Sequence, residues 1–210
     1  MLSVFAARMT IVAAGVSLVA LIALHIFKPD IHPSRTMISQ YALGPYGWVM
    51  ALCFAAFGVA SGTLAVAIAP AAHSFGSRMG TVLLLIAAIG FVMAGRFRMD
   101  PVSTPRTRMS RSGQMHGIAF VLGVPSMVFA VLVLSFALGR QGSHAWWPLM
   151  TLCAVLWVSL IAMVGIMFMV GPGKPPDPNG PERFVGVPNR LLMVAYAAWL
   201  IVAAWPVAGW

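Results

Sequence analysis

Six long apolar runs without Asp, Glu, Lys or Arg constrain the fold of this chain more than any other feature. The runs cover residues 9–27, 46–69, 79–95, 117–138, 146–170 and 191–207. A helix needs about 20 residues to cross the hydrocarbon core of a bilayer. The runs are continuously apolar and do not alternate with period two, which favours helices over a barrel. The sequence therefore predicts an all-α polytopic membrane protein with six transmembrane helices, forming a single domain over residues 1–210.

Composition agrees with this fold class and excludes others. Hydrophobic residues make up 60% of the chain and charged residues 8%, against roughly a quarter charged in a soluble domain. A formal charge of +9 would suggest a nucleic-acid partner in a soluble protein. Here the basic residues lie at the ends of apolar runs, so we predict no nucleic acid as a partner and assign the charge to membrane topology and lipid headgroups.

Three longer polar connections, at residues 28–45, 96–114 and 171–190, alternate with two short ones, so all three must emerge on one face. Ten of the Lys and Arg residues lie on that face, whereas Arg8, Arg78 and Arg140 lie on the other. By the positive-inside rule the long connections are cytoplasmic and both termini are outside. The expected location is a prokaryotic inner membrane.

Each long connection opens with a basic residue followed closely by an aspartate. The three instances are Lys28-Pro29-Asp30, Arg98-Met99-Asp100 and Lys174-Pro175-Pro176-Asp177. This weak repeat predicts an arrangement as three helical hairpins. The alternative is that polar loops simply contain Pro, Asp and Lys.

Two pairs of glycines have the spacing that lets membrane helices approach closely. Gly58 and Gly62 lie in the second run, and Gly113 and Gly117 lie at the entry to the fourth. Each pair predicts a close helix–helix contact. The third and sixth runs hold 17 residues each, so we expect those two helices to run nearly normal to the membrane or to draw on flanking residues for length.

Three short motifs lie at the ends of the predicted helices. They read Ser39-Gln40-Tyr41-Ala42-Leu43-Gly44-Pro45, Phe97-Arg98-Met99-Asp100-Pro101 and Gly113-Gln114-Met115-His116. Together they resemble the prokaryotic membrane family catalogued as domain of unknown function 998. That family has a Ser and Gly pair before helix two, Phe-x-x-Asp-Pro after helix three and Gly-x-x-His at the start of helix four. This chain departs from that pattern at two points. Arg98 stands where the family has a proline after the phenylalanine, and the loop between helices three and four is unusually basic. The resemblance implies a fold and implies no activity.

Titratable groups near one membrane face are candidates for chemistry. The catalytic candidates are Ser39, His32, Asp100 and His116, and the weak metal candidates are His25, His32 and His116. Such residues could hold zinc and activate water against a lipid ester or amide. However, no HxxxH or HExxH spacing places two ligands on one helix face. The alternative is that these histidines only bond to backbone or water. Haem between His25 and His116 is the other cofactor considered, and the sequence predicts no cofactor.

Five arginines lie in the second long connection. They are Arg96, Arg98, Arg106, Arg108 and Arg111. Guanidinium groups match phosphate bidentately, so an anionic lipid headgroup is the natural partner. The alternative is that these charges only set topology. We expect Asp100 to be bonded by Arg96, Arg98 or a group of helix four.

The favoured function is a non-enzymatic membrane protein that binds anionic lipid or serves as an accessory subunit of a larger membrane complex. Its predicted partners are membrane lipids and other membrane subunits. The alternative is an interfacial metal-dependent lipid hydrolase.

Overall fold

The computed structural model of the chain describes residues 1–101, 104–139, 146–170 and 180–209, without the side chains of Arg106 and Glu182. Arg140 and the segment 171–179, with Lys174 and Asp177 of the third repeat, lie outside the described residues. The repeat is therefore described for its first two instances only.

Within those ranges six helices account for most of the chain. They are α1 Leu2–Phe27, α2 Gly47–Ile68, α3 Phe75–Arg96, α4 Arg111–Gly139, α5 Trp146–Val170 and α6 Gly186–Ala208. All six are long and apolar enough to cross a membrane. The prediction of an all-α fold with six membrane-spanning helices is confirmed.

Four helices begin several residues before the apolar runs that predict them. For example, α4 begins at Arg111 and α6 begins at Gly186. A charged or polar residue marks the edge of the hydrocarbon core but does not end a helix, so the helices continue into the interface. Of the two alternatives for the third and sixth helices, the use of flanking residues for length is the one observed, because α3 has 22 residues and α6 has 23.

Each helix packs against its neighbour in the chain, and α6 returns to contact α1, so the helices form a closed ring. The pairs α1/α2, α3/α4 and α5/α6 are in contact, as the hairpin interpretation requires. However, α2 also packs extensively on α3, and α2 touches α6. Neighbour packing around a ring therefore describes the fold better than three separate hairpins.

Buried hydroxyl and indole groups link helices across the apolar core. Thr10 of α1 bonds Thr63 of α2 at 2.9 Å. Ser61 of α2 bonds the Tyr196 hydroxyl of α6 at 2.7 Å. The Trp199 indole N–H of α6 donates to Ser135 of α4 at 2.9 Å. Because lipid offers no alternative partner, such pairs fix the rotations of α1, α2, α4 and α6 relative to one another.

Glycines set the closest helix approaches. A Cβ on Gly90 of α3 would lie 2.5 Å from Cα of Gly123 in α4, and one on Gly58 of α2 would lie 3.0 Å from the Ala88 carbonyl oxygen of α3. Gly58 therefore does allow close helix packing. The prediction for Gly113 and Gly117 is wrong. Gly117 has open space around it, whereas a Cβ on Gly113 would meet the carboxylate of Asp100.

The two kinds of glycine environment give a matched test of packing. Gly90→Ala should destabilise the protein by about 1–3 kcal/mol, because the backbones of α3 and α4 must separate. Gly117→Ala should be neutral or stabilising by up to about 1 kcal/mol, because alanine favours helix and meets no neighbour. Thermal unfolding in detergent measures both. Equal melting temperatures would contradict the close approach at Gly90.

Candidate functional site at the face of the long connections

Arg190, in the first turn of α6, joins three parts of the structure at the face of the long connections. Its Nε donates to Nε2 of His25 in α1 at 2.8 Å. Its Nη1 donates to the carbonyl oxygens of Thr36 at 2.6 Å and Gly186 at 3.1 Å. Its Nη2 donates to the Tyr41 hydroxyl at 3.1 Å. The guanidinium thus holds the first long connection against α1 and α6.

These bonds determine the state of His25. Its Nδ1 bonds the Leu21 carbonyl oxygen at 2.7 Å, and a carbonyl can only accept, so Nδ1 carries the proton. Arg190 can only donate, so Nε2 of His25 accepts. Both ring nitrogens are therefore engaged, and His25 could ligate zinc or haem iron only by releasing Arg190.

A buried lysine, Lys28, also holds the first long connection in place. Lys28 follows α1, and its Nζ donates to the carbonyl oxygens of Tyr41 at 3.0 Å and of Leu43. Desolvation lowers the pKa of Lys28 from its ordinary value, against a smaller opposing effect of Asp30. The side-chain oxygen of Asn189 in α6 accepts from the Ile38 N–H at 2.8 Å. Together these contacts fix the 3-10 turn Ile38–Ala42, which carries Ser39.

The segment after α3 runs back along the first turns of α4 and is bonded to them at three points. His116 Nδ1 donates to the Phe97 carbonyl oxygen at 2.9 Å. The Ser112 hydroxyl donates to the Arg98 carbonyl oxygen at 2.9 Å. Asp100 forms the third point, at the N-terminus of α4.

Asp100 accepts from the backbone N–H of Ser110 at 2.7 Å and from its hydroxyl at 2.8 Å. Ser110 in turn accepts from the Gly113 N–H at 3.0 Å. Of the donors expected for Asp100, the one observed is therefore the group at the start of helix four and not Arg96 or Arg98. A carboxylate at a helix N-terminus also interacts favourably with the helix dipole.

A cavity of about 50 Å³ lies between the 3-10 turn, α2, α3, α4 and α6. Its walls are mainly apolar and include Phe54, Phe91 and Phe120. Its polar lining comes from Ser39, His116 and Asn189. Two of the four catalytic candidates, Ser39 and His116, therefore share one cavity.

The other two candidates lie elsewhere. Asp100 is at the N-terminus of α4, outside the cavity lining. His32 is exposed on the first long connection, where it bonds the Ser34 hydroxyl at 3.1 Å. The described ranges contain no group of three or more His, Cys, Asp or Glu side chains placed to hold a metal ion.

The arginines of the second long connection are exposed wherever their side chains are described. Arg96 lies over the Phe97 ring, with 5.8 Å from its guanidinium carbon to the ring centroid. The side chains of Arg98, Arg108 and Arg111 have no hydrogen-bond or ion-pair partner among the described residues. The side chain of Arg106 lies outside the described part.

Sequence reasoning missed the three residues that organise this face, Arg190, Lys28 and Asn189. The sequence predicts Lys28 only as the first residue of a repeat, Arg190 only as one of ten basic residues at one face, and no role for Asn189. The available signal was position, because each lies within a few residues of a helix end that bears other polar groups, where desolvated donors need partners.

The bond between Asp100 and Ser110 can be measured by a double-mutant cycle with Asp100→Ala and Ser110→Ala. Each single change should lower the free energy of unfolding, and the two changes should be non-additive, with a coupling energy of roughly 1–3 kcal/mol for bonds to a charged acceptor. Thermal unfolding in detergent supplies the values. Additive effects would mean that the two side chains do not bond in the folded protein.

Comparison with known proteins supports the resemblance carried by the three motifs. No curated protein and no solved structure matches the chain. A family model described as "Protein of unknown function (DUF998)" matches residues 11–206, which include Ser39, Asp100 and His116. The chain therefore belongs to the DUF998 family of proteins of unknown function.

Proposed function

We propose that this chain is a non-enzymatic membrane protein that binds anionic lipid at the face of the long connections. The observation that carries the proposal is that Arg98, Arg108 and Arg111 are available to a ligand. Their guanidinium groups are exposed and have no protein acceptor in the described part of the chain. Such groups at the level of the headgroups are available for a phosphate, which they can bind through two parallel hydrogen bonds.

The backbone around these arginines is held in place, which lowers the entropic cost of binding. The Arg98 carbonyl is tied to Ser112 of α4. Arg111 is the first residue of α4, and Arg108 ends the 3-10 turn Arg106–Arg108. Arg108 and Arg111 thus flank Ser110 in the sequence, and Ser110 is itself held by its bonds to Asp100.

Exchange of Arg98, Arg108 and Arg111 for lysine separates lipid binding from topology. The exchange keeps every charge but removes the planar fork, so retention of anionic lipid should fall about tenfold, which corresponds to roughly 1.4 kcal/mol. Native mass spectrometry of the purified protein with phosphatidylglycerol measures the retention.

The matched control exchanges Arg35 and Arg183 for lysine. Both are exposed arginines of the other two long connections, so loss of a general surface attraction would affect them equally. Full retention by the triple variant, or the same loss in the control, would contradict specific binding and leave the charges as a topological signal.

The orientation proposed with this function places the long connections in the cytoplasm of a prokaryotic cell. It is supported by the bias of ten basic residues against three, which cytoplasmic loops typically carry. Arg190 and Asn189 bond the first long connection to the start of α6, so these two elements share that face. At the other face, Arg8 of α1 bonds the Ala208 carbonyl oxygen of α6 at 3.0 Å.

Cysteine labelling tests the orientation. Thr107→Cys, in the second long connection, should resist a membrane-impermeant thiol reagent added to intact cells, whereas His73→Cys, in the short connection between α2 and α3, should react. Both positions are exposed, and the native Cys53 and Cys153 are buried. The reverse labelling pattern would invert the topology.

A lipid hydrolase is the second candidate, favoured by the shared cavity of Ser39 and His116. A hydroxyl and an imidazole beside an apolar cavity are the groups that ester cleavage uses, with or without a metal. Stoichiometric zinc in protein purified without chelators, together with release of fatty acid, would support this candidate over the binding protein. Protein that is free of zinc and releases no fatty acid would support binding.

A further inference from the structure

Two residues that line the cavity each carry a polar side-chain atom with no hydrogen-bond partner among the described residues. These atoms are the hydroxyl oxygen of Ser39 and Nε2 of His116. The third polar residue there is already satisfied, because Asn189 accepts from Ile38 and donates to the Met163 sulfur. The lining residues therefore offer a ligand one hydroxyl and one ring nitrogen that no described residue bonds.

The bond to Phe97 decides what that ring nitrogen can do. Because Nδ1 of His116 donates to the Phe97 carbonyl oxygen at 2.9 Å, the proton of the neutral imidazole is on Nδ1. Nε2 is then an acceptor. It can be satisfied by a hydroxyl of the ligand but not by an ester carbonyl or a phosphate oxygen that carries no proton.

The depth of these groups matches the layers of a phospholipid. Arg98 and Arg111 lie at the level where α4 begins. His116 is five residues further along the helix, which is about 8 Å deeper at 1.5 Å per residue. Phe91, Phe120 and Leu192 line the apolar part of the cavity. In a phospholipid, the phosphate, the glycerol and the acyl chain follow one another in the same order as the arginines, His116 and the apolar lining.

The cavity has room for the start of an acyl chain. A volume of about 50 Å³ holds a few groups the size of a water molecule. A hydroxyl on the acylated glycerol is free only where one acyl chain is absent, so the acceptor at Nε2 of His116, and not the volume, favours a single-chain lipid.

We propose that this cavity is a binding site for an anionic lysophospholipid, a single-chain lipid with a free glycerol hydroxyl next to its phosphate. The glycerol hydroxyl donates to Nε2 of His116, the Ser39 hydroxyl donates to the ester carbonyl, and the start of the acyl chain enters the apolar part. This assignment rests on the proposed lipid-binding function for its phosphate contacts, but the hydroxyl contact is separate from the arginines.

The test compares two ligands that differ in one proton donor. Oleoyl lysophosphatidic acid carries the free hydroxyl, and its analogue with that hydroxyl methylated does not. Binding to the purified full chain is measured by native mass spectrometry. The native protein should retain the hydroxyl form about tenfold better, equivalent to roughly 1.4 kcal/mol for one hydrogen bond.

Variants at the cavity identify the acceptor. His116→Phe keeps a ring against Phe54 but lacks the acceptor, so the preference for the hydroxyl form should disappear. His73→Phe, an exposed position at the other face, is the control and should keep the preference. If His116→Phe does not fold, His116→Leu replaces it, since leucine also lacks an acceptor for the ligand hydroxyl, and the preference should again disappear.

The outcomes separate this site from the arginine proposal. Native protein without a preference, or a full preference in the folded His116 variant, overturns the lysophospholipid site. Exchange of Arg98, Arg108 and Arg111 for lysine should weaken both ligands equally and leave the preference intact. If that exchange changes neither ligand while His116→Phe removes the preference, the cavity site holds and the arginine contacts are overturned.

Discussion

The arrangement of the face of the long connections depends on the hydrogen bonds of the Arg190 guanidinium. A charged group with five N–H donors is costly in a partly desolvated position unless those donors are bonded. Four of its bonds go to His25, Thr36, Gly186 and Tyr41. No single helix can supply these acceptors, so the first long connection and the ends of α1 and α6 must come together around it. The position of Ser39, and with it one wall of the cavity, follows from that assembly.

Basic residues at this face therefore fall into two groups with different physical roles. Lys28 and Arg190 point into the structure, where carbonyl oxygens and a histidine satisfy them. Arg98, Arg108 and Arg111 are exposed, without partners in the described ranges. Total charge does not distinguish the groups. The first group stabilises the fold, and the second is the one that we propose to bind anionic lipid.

Much of the fold could be predicted because the bilayer constrains it locally. Each apolar run is long enough to span, so the number of helices follows from the sequence alone. The starts of α4 and α6 could not be predicted in the same way, because Arg111 and Gly186 lie in polar sequence that no hydrocarbon boundary defines.

The candidate site could be predicted only in part. Ser39 and His116 belong to motifs that resemble a family, and the structure brings them to one cavity. The contact of His25 with Arg190 joins residues 165 positions apart, and no local pattern encodes such a pair. Asp100 and Gly113 illustrate a further limit. The spacing of Gly113 and Gly117 predicts close helix packing, whereas Gly113 instead leaves room for the Asp100 carboxylate.

The closure of the ring by α1 and α6 has a consequence for biosynthesis. Of these six helices α6 leaves the ribosome last, yet it supplies Arg190, Asn189 and part of the cavity wall. Until it inserts, His25 lacks its donor and the Ile38 N–H lacks its acceptor. A nascent chain with five inserted helices therefore has an unfinished cavity, and α1 must stay accessible beside the translocation machinery until the last helix docks. The ligand that we propose for this cavity could therefore bind only after α6 has docked.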